Sequence, residues 1–280
     1  MTAEGAGTIL DKIVAATKQR IEEARARIPP GDLQGAAEGR TERRDFAAAI
    51  ARVSLPTDGL GLRVIAELKR ASPSRGLLRQ QYRRREIALG YESAGAVALS
   101  VLTEEHYFLG ALSDLSEVRS AVQLPVLRKD FILDPYQVYE SVAAGADALL
   151  LITAALDDKD LGNLMALCNH LRIAALVEVH TEEELDRALT GGAKLVGVNN
   201  RNLKTLEVNL ATSFRLREKI PTTCLAVSES GIRTPAELRS IAEAGYHAVL
   251  LGERLMAGPD PGKELAALLR GARTRTSNAL

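Results

Sequence analysis

The sequence predicts an α/β protein, a closed (β/α)8 TIM barrel preceded by an N-terminal helical extension. Three observations carry that prediction. Short apolar runs rich in β-branched residues recur along the chain, beginning near Val64, Val97, Val126, Ala148, Ala174, Leu195, Cys224 and Ala248. Successive starts lie 21 to 33 residues apart, the length of one strand plus one helix. The runs are apolar on both faces, as parallel strands covered by helices are. Eight such units favour closure into a barrel. A doubly wound open sheet is the alternative, but it would carry fewer strands and a Gly-rich first turn. No Gly-x-Gly-x-x-Gly opens the first unit here.

The elements follow in order. A helix is predicted from about Ile9 to Arg27, with Thr8 as its cap and Asp11 in its first turn. Ile9, Leu10, Ile13, Val14 and Ile21 give it an apolar face, and Pro29-Pro30-Gly31 stops it. Residues 31–62 are polar and interrupted, with one short helix expected over Arg44–Val53. Residues 1–7 and Thr274–Leu280 read as frayed ends. Ser93-Ala-Gly-Ala96, Ala144-Gly-Ala-Asp147, Thr190-Gly-Gly-Ala193 and Glu243-Ala-Gly-Tyr246 each precede a strand, where glycine suits a helix end. The last helix is expected over Lys263–Arg273. The chain thus reads as one domain over residues 1–280, with the extension over about 1–62 and the barrel over about 63–273.

Composition narrows the function. Of 280 residues, 46% are hydrophobic and 26% charged, an ordinary globular mix. Lys plus Arg and Asp plus Glu are each 36, and aromatics are 4%, so neither charge nor stacking surface argues for nucleic acid. Cys168 and Cys224 are the only cysteines and read as buried free thiols of a reducing, cytoplasmic protein. No leader or membrane span is recognisable, so a membrane role is not expected. His106, His170 and His247 share no metal-ligand spacing, so no metal site is expected.

Chemistry concentrates where the apolar runs end, the face on which such barrels place their sites. The first run ends in Glu67 and Lys69, two apart and so on one side of the strand. Ser100, Lys129, Glu178, Asn199, Glu229 and Glu253 close later runs. Lysines beside carboxylates hold protons at useful pKa values or supply fixed charge. Ser230-Gly231 and Gly252-Glu253 follow runs seven and eight, where barrels bind phosphate through backbone N–H groups. Arg83-Arg84-Arg85 reads as a solvated basic face, and His180 as a rim residue rather than a catalytic one.

At these ends the sequence resembles the indole-3-glycerol phosphate synthases. The resemblance rests on Glu67-Leu-Lys-Arg-Ala-Ser-Pro-Ser74, Ser100-Val-Leu-Thr103, Leu127-Arg-Lys-Asp-Phe131, Leu176-Val-Glu-Val-His180, Gly197-Val-Asn-Asn-Arg-Asn-Leu203 and Ser228-Glu-Ser-Gly-Ile232. It covers nearly the whole chain, the helical extension included. It implies a carboxy-lyase of tryptophan biosynthesis acting on the phosphosugar 1-(2-carboxyphenylamino)-1-deoxyribulose 5-phosphate without a cofactor. By resemblance Lys129 would be the general acid of ring closure, Lys69 would hold the substrate carboxylate, and Glu178 would be the acid–base partner of the later steps. Glu67 and Asn199 would orient the lysines and sugar hydroxyls. Ser72, Ser230, Gly231, Gly252 and Glu253 would surround the phosphate, with Arg201 and Glu229 in support. Tyr107-Phe108 would shape the wall for the aromatic ring. Association with other enzymes of the pathway is not readable from the sequence. Two rivals stand beside this: another phosphosugar barrel such as phosphoribosylanthranilate isomerase, and a barrel that binds phosphosugars without turnover. The isomerase would need a strand-end cysteine, and Cys224 opens its run instead.

Overall fold

In the computed structural model, residues 8–51 and 60–273 are described. Eight parallel strands close a barrel: β1 (Arg63–Leu68), β2 (Ala98–Leu102), β3 (Val126–Lys129), β4 (Ala148–Ile152), β5 (Ala174–Val179), β6 (Leu195–Asn199), β7 (Leu225–Glu229) and β8 (Ala248–Leu251). Each strand pairs with its sequence neighbours, and β8 returns to β1 with Ala248 opposite Arg63. The observed starts fall within one residue of the sequence reading. The four glycines before β2, β4, β6 and β8, Gly95, Gly145, Gly192 and Gly245, all take positive φ, which explains why glycine recurs there.

Side-chain alternation along the strands divides the barrel into two environments. One parity faces the helices and forms the larger apolar cluster, with Val64, Ala66, Val126, Leu149, Val177 and Val196 among its members. The other parity faces the lumen. Its lower layer is apolar and includes Ile65, Leu127, Leu176 and Val227. Two residues further along the same strands stand Glu67, Lys129, Glu178 and Glu229. The lumen is therefore oily below and charged at the C-terminal mouth.

The extension runs from the mouth to the barrel floor. Helix α1 (Ile9–Arg27) starts with the expected capping box between Thr8 and Asp11, and its Ile13 joins the lumen cluster beside Phe131. Helix α1 ends at Arg27 as expected, but helix α2 (Pro30–Gly39) corrects the reading of residues 31–62 as interrupted with one short helix. Proline is preorganised for the first turn of a helix, where its missing N–H costs nothing. Leu33 and Ala37, four apart, are buried on α2, which packs against the helix Pro135–Ala143 after β3. Helix α3 (Phe46–Ala51) is the expected short helix, trimmed; Val53 and both chain ends read as frayed lie outside the described residues. Phe46 and Ile50 enter the lumen cluster from below. The last helix spans Pro261–Arg273, two residues longer than expected.

Buried ion pairs tie the extension to the floor. Asp147, just before β4, is fully buried and accepts from Arg40 Nη2 at 3.0 Å and from the Arg44 backbone N–H at 3.0 Å. Its other oxygen lies 3.1 Å from Arg119 Nε and accepts from the Val126 N–H at 3.0 Å. Removing one member of such a cluster leaves buried charge uncompensated. Asp147→Ala is expected to cost about 3–5 kcal/mol. Urea unfolding would show it as a lower midpoint, and an unchanged midpoint would contradict it.

Candidate functional site

The mouth holds a cavity of about 390 Å³. Lys129, the last residue of β3, reaches into it. Its Nζ donates to Glu178 Oε2 on β5 at 2.7 Å and to Glu229 Oε2 on β7 at 2.7 Å. Both carboxylates are nearly inaccessible to solvent, at 2% and 1% side-chain exposure. Burial alone would lower the Lys129 ammonium, but the carboxylates of Glu178, Glu229 and Glu67 outweigh it and hold the group above its ordinary range. The two glutamates differ. Burial pushes Glu229 up, to about 7, with Lys129 opposing and Glu178 adding to the rise. Burial also disfavours the charge on Glu178, but Lys129 and His180 overcome it and leave this carboxyl below its usual value.

Glycines make room for these groups. A Cβ on Gly197 of β6 would run into Glu229 Oε1, and one on Gly252 would run into Glu67 Oε1. Glu67 in turn pairs with Lys69, Oε1 to Nζ at 2.7 Å, and accepts from Ser100 Oγ at 3.4 Å. The apolar end of β4 supplies Leu150 and Ile152 to the cavity wall, with Phe108 and Phe131. The two phenyl centroids are 6.4 Å apart.

A second charged group lies at the rim. Glu253 accepts from Arg201 Nη2 at 3.0 Å, and its other oxygen lies 2.9 Å from Arg75 Nε. Arg201 also donates to the Leu206 carbonyl, which fixes the guanidinium. Ser230 and Gly231 follow β7 with φ of 65° and 88°.

Comparison with known proteins fits this arrangement. The family model described as indole-3-glycerol phosphate synthase matches residues 10–268. The chain belongs to the indole-3-glycerol phosphate synthase family. A curated relative of that name from Carboxydothermus hydrogenoformans is 44% identical over 262 residues, covering 93% of this chain and 99% of its own. One from Chromobacterium violaceum is 48% identical over 261 residues, covering 93% and 97%. Solved structures share the fold alone. A 3-hexulose-6-phosphate synthase superposes with a TM-score of 0.58 at 17% identity, over 76% of this chain and 98% of its own. The thiamine phosphate pyrophosphorylase of Pyrococcus furiosus gives 0.56 at 15%, over 76% and 96%.

In this member of the indole-3-glycerol phosphate synthase family, eleven of the twelve residues expected at the site line the one cavity: Glu67, Lys69, Lys129, Glu178, Asn199, Arg201, Glu229, Ser230, Gly231, Gly252 and Glu253. Ser72 lies in an adjoining apolar crevice, shared with Ile9, Leu10 and Ile13 of α1. Cys224 is buried before β7, at the far end from the mouth, with Sγ donating to the Ala193 carbonyl. Two expectations change. His180 is not on the rim: its side chain is 9% exposed and Nε2 lies 3.3 Å from Glu178 Oε1. In the basic run Arg83 and Arg85 are exposed as expected, whereas Arg84 is half-buried, with Nε 2.9 Å from Asp114 and 3.0 Å from Glu117. Arg75 was missed altogether, although it follows Ser-Pro-Ser in the loop after β1. Glu253 occupies both rim guanidinium groups. Glu253→Gln is expected to tighten inorganic phosphate by roughly fivefold, as partly exposed ion pairs are worth on the order of 1 kcal/mol. Isothermal titration measures this; unchanged or weaker binding would count against displacement.

Proposed function

We propose that this chain converts 1-(2-carboxyphenylamino)-1-deoxyribulose 5-phosphate to indole-3-glycerol phosphate, CO₂ and water, with the work divided among the mouth residues as follows. The observation that carries the division is the ammonium of Lys129 set between two buried carboxylates in the cavity. Lys129 protonates the ribulose carbonyl oxygen as the ring carbon bearing the carboxylate attacks its carbon. The new carbon–carbon bond leaves positive charge on the anilino system, and Glu178, held below its usual range by Lys129 and His180, stabilises it. The carbon–carboxylate bond then breaks and its electron pair restores the aromatic ring. No cofactor enters this reading, because the ring itself accepts those electrons.

Dehydration completes the sequence. Lys69 holds the substrate carboxylate before it leaves and donates the proton that lets hydroxide depart as water. The ring nitrogen pushes electrons toward the breaking carbon–oxygen bond, and a proton leaves the adjacent carbon to form the indole. A base with a pKa near working pH suits that removal, which favours Glu229 of the two carboxylates. One proton is consumed per turnover, as the substrate carboxylate departs as neutral CO₂. Glu67 orients Lys69, and Asn199 faces the sugar hydroxyls. Arg201, Ser230, Gly231, Gly252 and Glu253 form the phosphate end, with Ser72 beside it. The apolar wall with Phe108 and Phe131 takes the aromatic ring.

A cytoplasmic location belongs to the same reading. Among the described residues no helix is long and apolar enough to cross a membrane, and both thiols are free and buried. The chain has no Trp, so product indole fluorescence is read against a low protein background. Wild-type protein mixed with the substrate is expected to give a rise. Lys129→Ala is expected to lower kcat by roughly 10²–10⁴-fold, the usual worth of a positioned general acid. A variant as fast as wild type would remove Lys129 from that role. No rise from folded wild type would favour a barrel that binds the phosphosugar without turnover.

A further inference from the structure

Behind Glu178, away from the cavity, stands a second charged pair that the reaction scheme does not use. His180 and Glu184 occupy the turn from β5 into the helix Glu182–Thr190. Glu184 Oε2 accepts from the His180 backbone N–H at 2.7 Å and lies 2.9 Å from its ring Nδ1. Thr181 Oγ1 accepts from the Glu184 N–H and fixes that residue in the first turn. The other ring nitrogen, Nε2, lies 3.3 Å from Glu178 Oε1. That contact has ion-pair distance without hydrogen-bond geometry, and among the described residues Nε2 has no hydrogen-bond partner. Glu178 turns its remaining oxygen, Oε2, to Lys129. A line of four groups results: Lys129, Glu178, His180, Glu184.

The imidazole sits between two carboxylates, and that decides its state. A neutral ring carries one lone pair. In either tautomer that lone pair would face a carboxylate oxygen, at 2.9 Å from Nδ1 or at 3.3 Å from Nε2. Only the doubly protonated ring avoids the repulsion. Burial opposes the charge, but Glu178 and Glu184 overcome it and raise His180 to about 9. Other charges of the turn face elsewhere: Glu182 pairs with Arg215 and Lys219. Glu229, the other partner of Lys129, has no cation of this kind, and its Oε1 is buried without a hydrogen-bond partner. The two carboxylates on Lys129 are thus made unequal by one residue.

We propose that His180, held by Glu184, is a positioning residue for the reaction: a buried imidazolium that keeps Glu178 ionised and aims its free oxygen at Lys129. His180 touches no part of the cavity and acts only through Glu178. Its effect belongs to the chemical step rather than to substrate capture. The kinetic consequence rests on the lyase reading above, whereas the charge state of the ring does not.

The test therefore has two arms. With four histidines in the chain, ring ¹⁵N spectra are simple, and the His180 signals are assigned by their loss in His180→Asn. His180 is expected to carry protons on both nitrogens at pH 7.5, to titrate near 9, and to titrate lower in Glu178→Gln. A ring that titrates between 6 and 7 and ignores Glu178→Gln would overturn the charge assignment, whatever the chain catalyses. In the second arm, His180→Asn keeps a donor and removes the charge. It is expected to lower kcat about tenfold or more, to leave KM within about twofold, and to move the acidic limb of the kcat–pH profile upward. Glu184→Gln, which leaves the ring in place, is expected to move the limb in the same direction by less. A wild-type profile in both variants would leave His180 with a purely structural role. A loss of kcat at all pH values without a shifted limb, with a lowered melting temperature, would do the same.

Discussion

One ammonium group sets the terms for the rest of the barrel. Lys129 is buried with two glutamates, and taking three charges out of water is costly unless they satisfy one another. Two carboxylates and one ammonium leave a surplus negative charge. The protein meets it in two ways: it lets Glu229 rise toward neutrality, and it places the His180 cation behind Glu178. The same geometry needs room. Gly197 and Gly252 supply it, because any side chain there would strike Glu229 or Glu67. The strand parity does the remaining work. A residue two places below each charged group points into the same lumen and is apolar, so the charges rest on a dry floor of Ile65, Leu127, Leu176 and Val227.

That floor would be of little use if the strand ends could shift, and β3 is held from the outside. Arg128, next to Lys129 and of opposite parity, is fully buried and pairs with Asp130 at 2.9 Å and Glu140 at 2.8 Å. Asp130 also accepts from Thr103 at 2.6 Å and from Arg20 of α1 at 3.2 Å. Its other oxygen takes the Phe131 N–H, closing the turn that follows the lysine. The N-terminal extension thus grips the barrel twice, through Arg20 beside the mouth and through Arg40 and Arg44 at the floor. It is a brace around β3 and β4 as much as a cover, and Ile9, Leu10 and Ile13 extend the apolar crevice beside the cavity.

The sequence told much of this because the barrel repeats. Eight apolar runs at near-equal spacing place eight strand ends, and strand parity then brings Glu67, Lys129, Glu178, Asn199 and Glu229 into one mouth. What escaped it is of two kinds. Helix α2 was hidden by Pro29-Pro30-Gly31, whose residues serve a helix start as well as a stop, and only burial of Leu33 and Ala37 against a later helix decides between them. The others are pairings across long sequence distances, Arg75 with Glu253 and Arg20 with Asp130, which no local pattern encodes. His180 is an intermediate case. Its two-residue offset from Glu178 was visible, but the strand ends at Val179, and past that point parity no longer says whether a side chain faces the cavity or stands behind it.

The pairings at the mouth share a logic that bears on substrate recognition. Lys69 is held by Glu67, Lys129 by Glu178 and Glu229, and the two rim arginines by Glu253. Each of these four cations already has a carboxylate from the chain itself. Binding is then an exchange of partners rather than the first neutralisation of a bare charge. Such exchange yields less affinity per contact than an unpaired site would. It spares the empty protein the cost of desolvated, uncompensated cations.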